Sequence, residues 1–150
     1  MDISFKKDLK KTVLTSIQNN IDELDAQLKE LHEASNADTK SSMGDKYETG
    51  RETINQSRDL LEKQRSLLTQ KTAIVDQIPV KATKTVISGA LFEIHLGWIW
   101  VAASVGEITC QSKQVQVVSI DSPIIMALKG KCLRESVIFR GKKTEILNIL

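Results

Sequence analysis

Two apolar stripes of helical period, separated by a polar stretch that contains glycine, constrain this chain more than any other feature. Leu14, Ile17, Ile21, Leu24, Leu28 and Leu31 recur at spacings of three and four, and Ile54, Leu61, Leu68 and Val75 recur every seven. Such spacing puts each set on one face of an α-helix. Between the stripes, small polar residues around Ser35, Asn36, Ser41, Ser42 and Gly44 supply turn chemistry. The arms balance about Ser42 and Met43, so the pattern predicts an antiparallel helical hairpin in preference to a parallel dimeric coiled coil. The first arm is expected from Ser4 or Asp8 to about Ala34; a helix from Leu9 to Asn36 would reach about 40 Å. Its tip is expected near residues 36–46, with Asp45 capping the second arm and Glu48 completing a capping box.

Composition changes at Gln77-Ile78-Pro79. Before that point the chain is rich in Gln, Asn, Lys and acidic residues; after it Val, Ile, Trp and Gly dominate. Two units are expected, a helical hairpin over 1–76 and a small α+β domain over 77–150 that is mainly antiparallel. The first carries 12 Lys/Arg against 14 Asp/Glu and the second 9 against 5, so a mildly acidic hairpin is joined to a mildly basic domain. A net charge of +2 is too small to argue for nucleic acid by itself.

Within 77–150 the period becomes strand-like, with strands expected at 84–88, 90–94, 98–103, 114–120, 136–140 and 144–149. One short helix interrupts them. Ser122 reads as its N-cap, Pro123 as its first residue, Ile124 to Leu128 as its body and Gly130 as its stop. Trp98 and Trp100 share a strand face and are expected to fill the core in preference to forming a ligand platform.

No self-contained active site is legible. His32 lies on a coiled-coil flank and His95 in a hairpin, neither with a nucleophile or ligand set beside it. The glycines are isolated, and Cys110 and Cys132 lack metal-ligand spacing. Both thiols are expected reduced and partly buried in a cytoplasmic protein, since no secretory signal is visible. The most apolar stretch, 90–105, contains Glu93 and His95 and is too short for a membrane span. The remaining candidates for chemistry are the tip carboxylates Asp38, Asp45 and Glu48, hard oxygen donors that can serve a divalent cation in trans.

The segment from Ser122-Pro123 through Ala127-Leu128 to Gly130-Lys131, and the closing run Lys143-Thr144-Glu145-Ile146-Leu147-Asn148-Ile149, resemble the C-terminal signature of the Gre transcript-cleavage factors. That family also has an N-terminal coiled-coil hairpin, so the resemblance spans nearly the whole chain. It implies an FKBP-like C-terminal domain docking on RNA polymerase, with Asp121, Ser122, Pro123 and Ile124 as contact residues. It also implies a hairpin tip entering the secondary channel of the polymerase, without an active site in the chain itself. Asp38, Asp45 and Glu48 would act there on the polymerase's own centre, Asp45 and Asp38 sharing a Mg²⁺ with it, close to nascent RNA. The resemblance implies a monomer and no other cofactor. Two departures stand out. Lys40 and Met43 occupy the places of the family's two acidic tip residues when Tyr47 is aligned with the family's Tyr, and Arg134-Glu135 replaces a usual Gly-Asp pair. From the secondary channel the chain would either stimulate cleavage of backtracked RNA or, given the altered tip, modulate or inhibit synthesis. Rival readings are a peptidyl-prolyl isomerase or chaperone, for which aromatic residues to line a proline pocket are few, and a structural coiled-coil adaptor.

Overall fold

The structure, a computed structural model, describes the backbone of residues 1–38 and 44–150 and the side chains of residues 1–36 and 50–150. Two long helices, α1 (Ile3–Asp38) and α2 (Gly44–Gln77), precede seven strands and one short helix. The strands are β1 (Leu91–Ile94), β2 (Gly97–Ala102), β3 (Gly106–Cys110), β4 (Lys113–Ser119), β5 (Ser136–Phe139), β6 (Lys142–Glu145) and β7 (Asn148–Ile149); α3 (Pro123–Leu128) lies between β4 and β5. This is the expected helical hairpin followed by a small, mainly antiparallel sheet domain with one helix. Among the described residues no helix is long and apolar enough to cross a membrane.

The chain forms two compact units, Ile17–Gln70 and Met1–Ser16 with Lys71–Leu150. In the first, the predicted seam of α1 is present: Ile17, Ile21 and Leu24 are buried, and Leu28 and Leu31 are half-buried. The facing residues Ile54, Leu61 and Leu68 of α2 are only half-buried, and Leu60 and Leu67 are exposed. The polar seam position Gln64 is exposed as well, and Ser57 half-buried. The Arg65 guanidinium donates to Asp25 at 2.6 Å across the helix pair.

In the second unit a five-stranded sheet has the order β3-β4-β2-β1-β7, and β5 and β6 form a separate hairpin. All pairings are antiparallel except β2 with β4. Alternation along the strands gives the sheet two buried faces. On one, Phe92, Ile94, Ile99 and Val101 pack with Ile125 and Leu128 of α3 and with Ile146. The other carries Leu91, Trp100, Val115 and Val117, which the register brings side by side and which are fully buried. Phe5, Leu9 and Val13 at the start of α1 are buried too. That start of α1 lies beside the β3–β4 end of this face: Gln111 donates to Asp8 at 2.6 Å, Thr12 reaches Cys110 Sγ at 3.8 Å, and Lys113 Nζ lies 5.9 Å from the Phe5 ring centroid. Trp100 thus belongs to the core as expected, whereas Trp98 is only half-buried.

Lys6 is the outlier of this core. Its side chain is 1% exposed, yet Nζ donates to the carbonyls of Lys81 at 2.7 Å and Leu150 at 2.9 Å. Desolvation lowers its pKa to about 8. One turn later, Lys10 Nζ donates to the carbonyls of Asp76 and Ile78 at 2.7 and 2.8 Å. It thereby satisfies acceptors that the end of α2 leaves without helical partners.

Besides Trp98, four expectations need correction. The strand at 84–88 is reduced to a single bridge between Thr85 and Cys132; Val86 pairs with residues just after α3, donating to Lys131 and accepting from Gly130, and Gly89 turns the chain at φ +87°. β3 was not anticipated, because Gly106, Glu107 and Thr109 mask its alternation. The run 144–149 is broken into β6 and β7: Ile146 is fully buried, and the Leu147 amide transfers to the Glu93 carbonyl at 2.8 Å. Finally, the two thiols are free, but only Cys110 is buried while Cys132 is exposed.

Candidate functional site

The loop between β4 and α3 is built by Ser119. Its Oγ accepts from the Asp121 amide at 3.2 Å and its carbonyl accepts from the Ser122 amide at 3.1 Å, closing a tight turn. Ser122 is extended (φ −65°, ψ 146°), the conformation that a following proline enforces. Pro123 then opens α3 at no cost, because the first helical amide has no partner to lose. Ser122 occupies the N-cap position, and its carbonyl accepts from the Met126 amide at 2.9 Å. Its hydroxyl makes no capping hydrogen bond and is buried without a partner. The cap is therefore a backbone one, and Pro123 rather than the serine hydroxyl fixes the entry to the helix. At the other end Gly130 stands at φ +78°, the left-handed stop expected of it.

Asp121 and Pro123 are exposed. Ile124 is half-buried against the core and Ile125 is wholly inside it, so the apolar surface beside the loop comes from elsewhere. Met126, 67% exposed, stands three residues after Pro123 on the same helical face. Sequence reasoning passed over Met126; the signal was present, since Ile124, Ile125 and Leu128 already fill the inward stripe and leave positions 123 and 126 outward.

The tip side chains Asp38, Asp45 and Glu48 lie outside the described residues. By backbone, Asp38 ends α1 and Asp45 is the second residue of α2, inside the helix and not at the N-cap position expected of it. Among the described residues no group of three or more His, Cys, Asp or Glu side chains is arranged to hold a metal ion. His32 and His95 are both exposed.

The Arg134-Glu135 departure has a structural explanation. Arg134 stands at φ +71°, the region glycine favours. The Glu135 carboxylate accepts from the Cys132 amide at 2.6 Å and closes the turn with the Glu135 amide, which donates to the Cys132 carbonyl at 3.1 Å. Hydrogen bonds from the Cys132 amide and thiol hold the Glu135 carboxyl below its usual range, and the thiol's bond to Glu135 pushes Cys132 up. A left-handed residue followed by a carboxylate is the geometry a Gly-Asp pair would supply.

No protein-family model matches the sequence, and no curated protein matches it. Among solved structures the chain is similar to GreA factor homolog 1 (Gfh1) of Thermus thermophilus, at 14% identity, with 93% of this chain and 96% of that one covered and a TM-score of 0.38. A second structure, of "the transcription factor Gfh1", matches at 16% identity over 93% and 94% with a TM-score of 0.37. Thermus aquaticus Gfh1 matches at 14% over 93% and 94% with a TM-score of 0.35.

Proposed function

We propose that this chain is a Gre-type regulator of transcription elongation that docks on RNA polymerase through Asp121, Pro123 and Met126, with Ser122 and Ile124 holding the loop. One observation carries this reading. The Gre-like signature occupies consecutive structural parts, with Ser122-Pro123 opening α3, Gly130 following its end, and Lys143 to Ile149 running from β6 through Ile146-Leu147 into β7. Asp121 and Pro123 are exposed beside Met126, while Ile125, Leu128 and Ile146 are buried in the core. A fixed polar turn beside an exposed Met suits a compact contact patch.

On this reading the hairpin brings residues 36–46 into the polymerase's secondary channel, near its active centre and the nascent RNA. The chain needs no active site of its own. If it stimulates cleavage, Asp38, Asp45 and Glu48 would contribute carboxylate oxygens to a Mg²⁺ shared with the polymerase, Asp45 first among them. Such an ion supplies a metal-activated water for RNA hydrolysis. Lys40 and Met43 argue instead for slowed nucleotide addition, because the cation and the apolar side chain stand where the family has its acids.

The test is retention of purified core RNA polymerase by the immobilised chain. Asp121→Asn with Pro123→Ala is expected to reduce retention at least tenfold while leaving the thermal midpoint within about 2 °C. Unchanged retention would remove this loop from the interface. A second arm measures nucleotide addition and cleavage of backtracked RNA. Asp45→Ser deletes the charge at the second residue of α2 and keeps a side-chain oxygen there; cleavage at the parental rate by this variant would reject Asp45 as a metal ligand.

A further inference from the structure

A second feature of the sheet-bearing unit stands apart from the Asp121 loop. The two-residue turn His95-Leu96 joins β1 to β2, closing on the Ile94–Gly97 pair, and the turn Arg140-Gly141 joins β5 to β6, closing on Phe139–Lys142. Side chains from both turns, with Thr144, line a cleft of about 300 Å³. Its floor and walls are held by paired strands, and Arg140 (φ +51°) and Gly141 (φ +77°) are both left-handed, as the tight hairpin turn requires. The cleft is therefore preformed, which lowers the ordering cost of binding.

Its chemistry is one-sided. His95, Arg140 and Lys142 line it and no carboxylate does. Among the described residues no carboxylate forms an ion pair with any of the three, whereas Arg134 and Arg65 do find acidic partners. Beside the Arg140 and Lys142 cations lie two apolar groups, the half-buried Phe139 and Leu96. Leu96 is 72% exposed at a turn tip, where a polar residue would serve the turn better. Two cations beside an apolar slot are complementary to a segment that carries carboxylates next to a large apolar residue. A bare inorganic anion would leave the Leu96 and Phe139 walls unused. A nucleic-acid strand would bring phosphates to the cations but no aliphatic group to the exposed Leu96.

We propose that the cleft between the His95-Leu96 and Arg140-Gly141 turns is a second docking site, which captures an acidic segment of a protein partner with one apolar side chain seated between Leu96 and Phe139. The site does not depend on the Asp121 loop or on the identity of the partner engaged there.

The probe is a fluorescein-labelled peptide, Asp-Asp-Leu-Phe-Asp-Asp, titrated with the full chain by anisotropy, while amide chemical shifts locate the contact. Binding is expected to shift the amides of Leu96, Phe139 and Thr144 and to weaken as salt rises. Arg140→Asn with Lys142→Gln should weaken it at least tenfold, asparagine being chosen because it tolerates the left-handed backbone. Leu96→Ser should weaken it several-fold, and tryptophan fluorescence should show the fold intact in both variants. A lysine-for-aspartate version of the peptide should not bind. The proposal is overturned if that basic peptide binds equally, if the shifted amides lie elsewhere, or if a uridine hexanucleotide shifts the same amides at lower concentration. Polymerase retention by the Asp121 and Pro123 variant is a separate readout, so failure here leaves that reading standing and the reverse.

Discussion

The hairpin unit and the sheet-bearing unit solve the same problem with unequal means. In the sheet unit both faces are covered, and Leu91, Phe92, Trp100, Val101, Val115, Ile125 and Leu128 are each at most 1% exposed. In the hairpin α1 contributes three buried seam residues, Ile17, Ile21 and Leu24, while the opposing residues of α2 reach only half burial. Burial is what stabilises a fold, at about 25 cal/mol per Å² of apolar surface, so the two units should differ sharply in what a truncation costs. A weakly buried hairpin is also a natural place for local opening. Side chains free of packing duty there are available for contact with a partner.

The largest expected effect tests that asymmetry. Trp100→Ala should cost about 3–5 kcal/mol, read by denaturant unfolding followed through circular dichroism, since the substitution removes one of the two tryptophans. Leu61→Ala in the hairpin should cost less than about 2 kcal/mol, because that side chain is only partly buried. Both tryptophans lie in the sheet unit, so fluorescence follows that unit alone for the hairpin variant, and hydrogen exchange over 54–70 follows the hairpin. Comparable losses at the two positions would erase the contrast.

Lys6 gives the next effect and confines it to the sheet unit. Burial lowers its folded pKa to about 8, against roughly 10.4 in the unfolded chain. Below the folded value both states are protonated, and the folded state bears the full desolvation cost. Between the two values the unfolded chain holds the proton and the folded one does not, so stability rises with pH. The gain across the window from about pH 8 to 10.4 is on the order of 3 kcal/mol. It should appear in fluorescence-monitored unfolding of the native chain and vanish in Lys6→Met. A flat profile in the native chain would mean that the two carbonyls hold Lys6 charged.

How much of this was legible follows from which interactions are local. The hairpin arms, α3 and strands β1, β2, β4 and β5 declare themselves through periodicity, Ser122-Pro123 and Gly130. Phe5, Leu9 and Val13 continue the four-residue spacing back from Ile17, a buried face legible by the same period as the seam that begins at Leu14. The burial of Lys6 could not be read, because the carbonyls that receive it come from the far end of the chain. The division of 144–149 was equally hidden, since Ile146 and Leu147 are both apolar and only the exchange of hydrogen-bond partners separates them. Asp121 and Pro123 were legible as a turn and Met126 by helical spacing. The cleft was not, being assembled from two turns remote in sequence.

A smaller effect concerns strain within the sheet unit. Arg134→Gly relieves a left-handed residue whose only ion pair among the described residues is a 4.0 Å contact with Glu145. It should stabilise the unit by about 1 kcal/mol, seen as a rise in the fluorescence midpoint with hairpin exchange unchanged. A fall would show that the arginine side chain contributes more than its backbone costs.

The smallest effect sharpens the comparison from the hairpin side. Ser57 is half-buried and shares a groove with Leu31, Ala34, Leu60 and Leu61, a seam position where an apolar residue would meet the facing helix. Ser57→Leu adds methylenes to that groove without displacing packed atoms, and the seam is otherwise of coiled-coil spacing. Because the position stays partly solvated, the gain should be below the full value for burying a leucine, about 0.5–1 kcal/mol. Hydrogen exchange over 54–70 should slow by roughly two- to fivefold, while the tryptophan-reported midpoint of the sheet unit stays where it was. If both readouts rise together, the two units unfold as one and the hairpin's weak burial is not expressed as local opening. If neither moves, the groove is too open for the added side chain to leave water, and the polar seam costs the hairpin nothing.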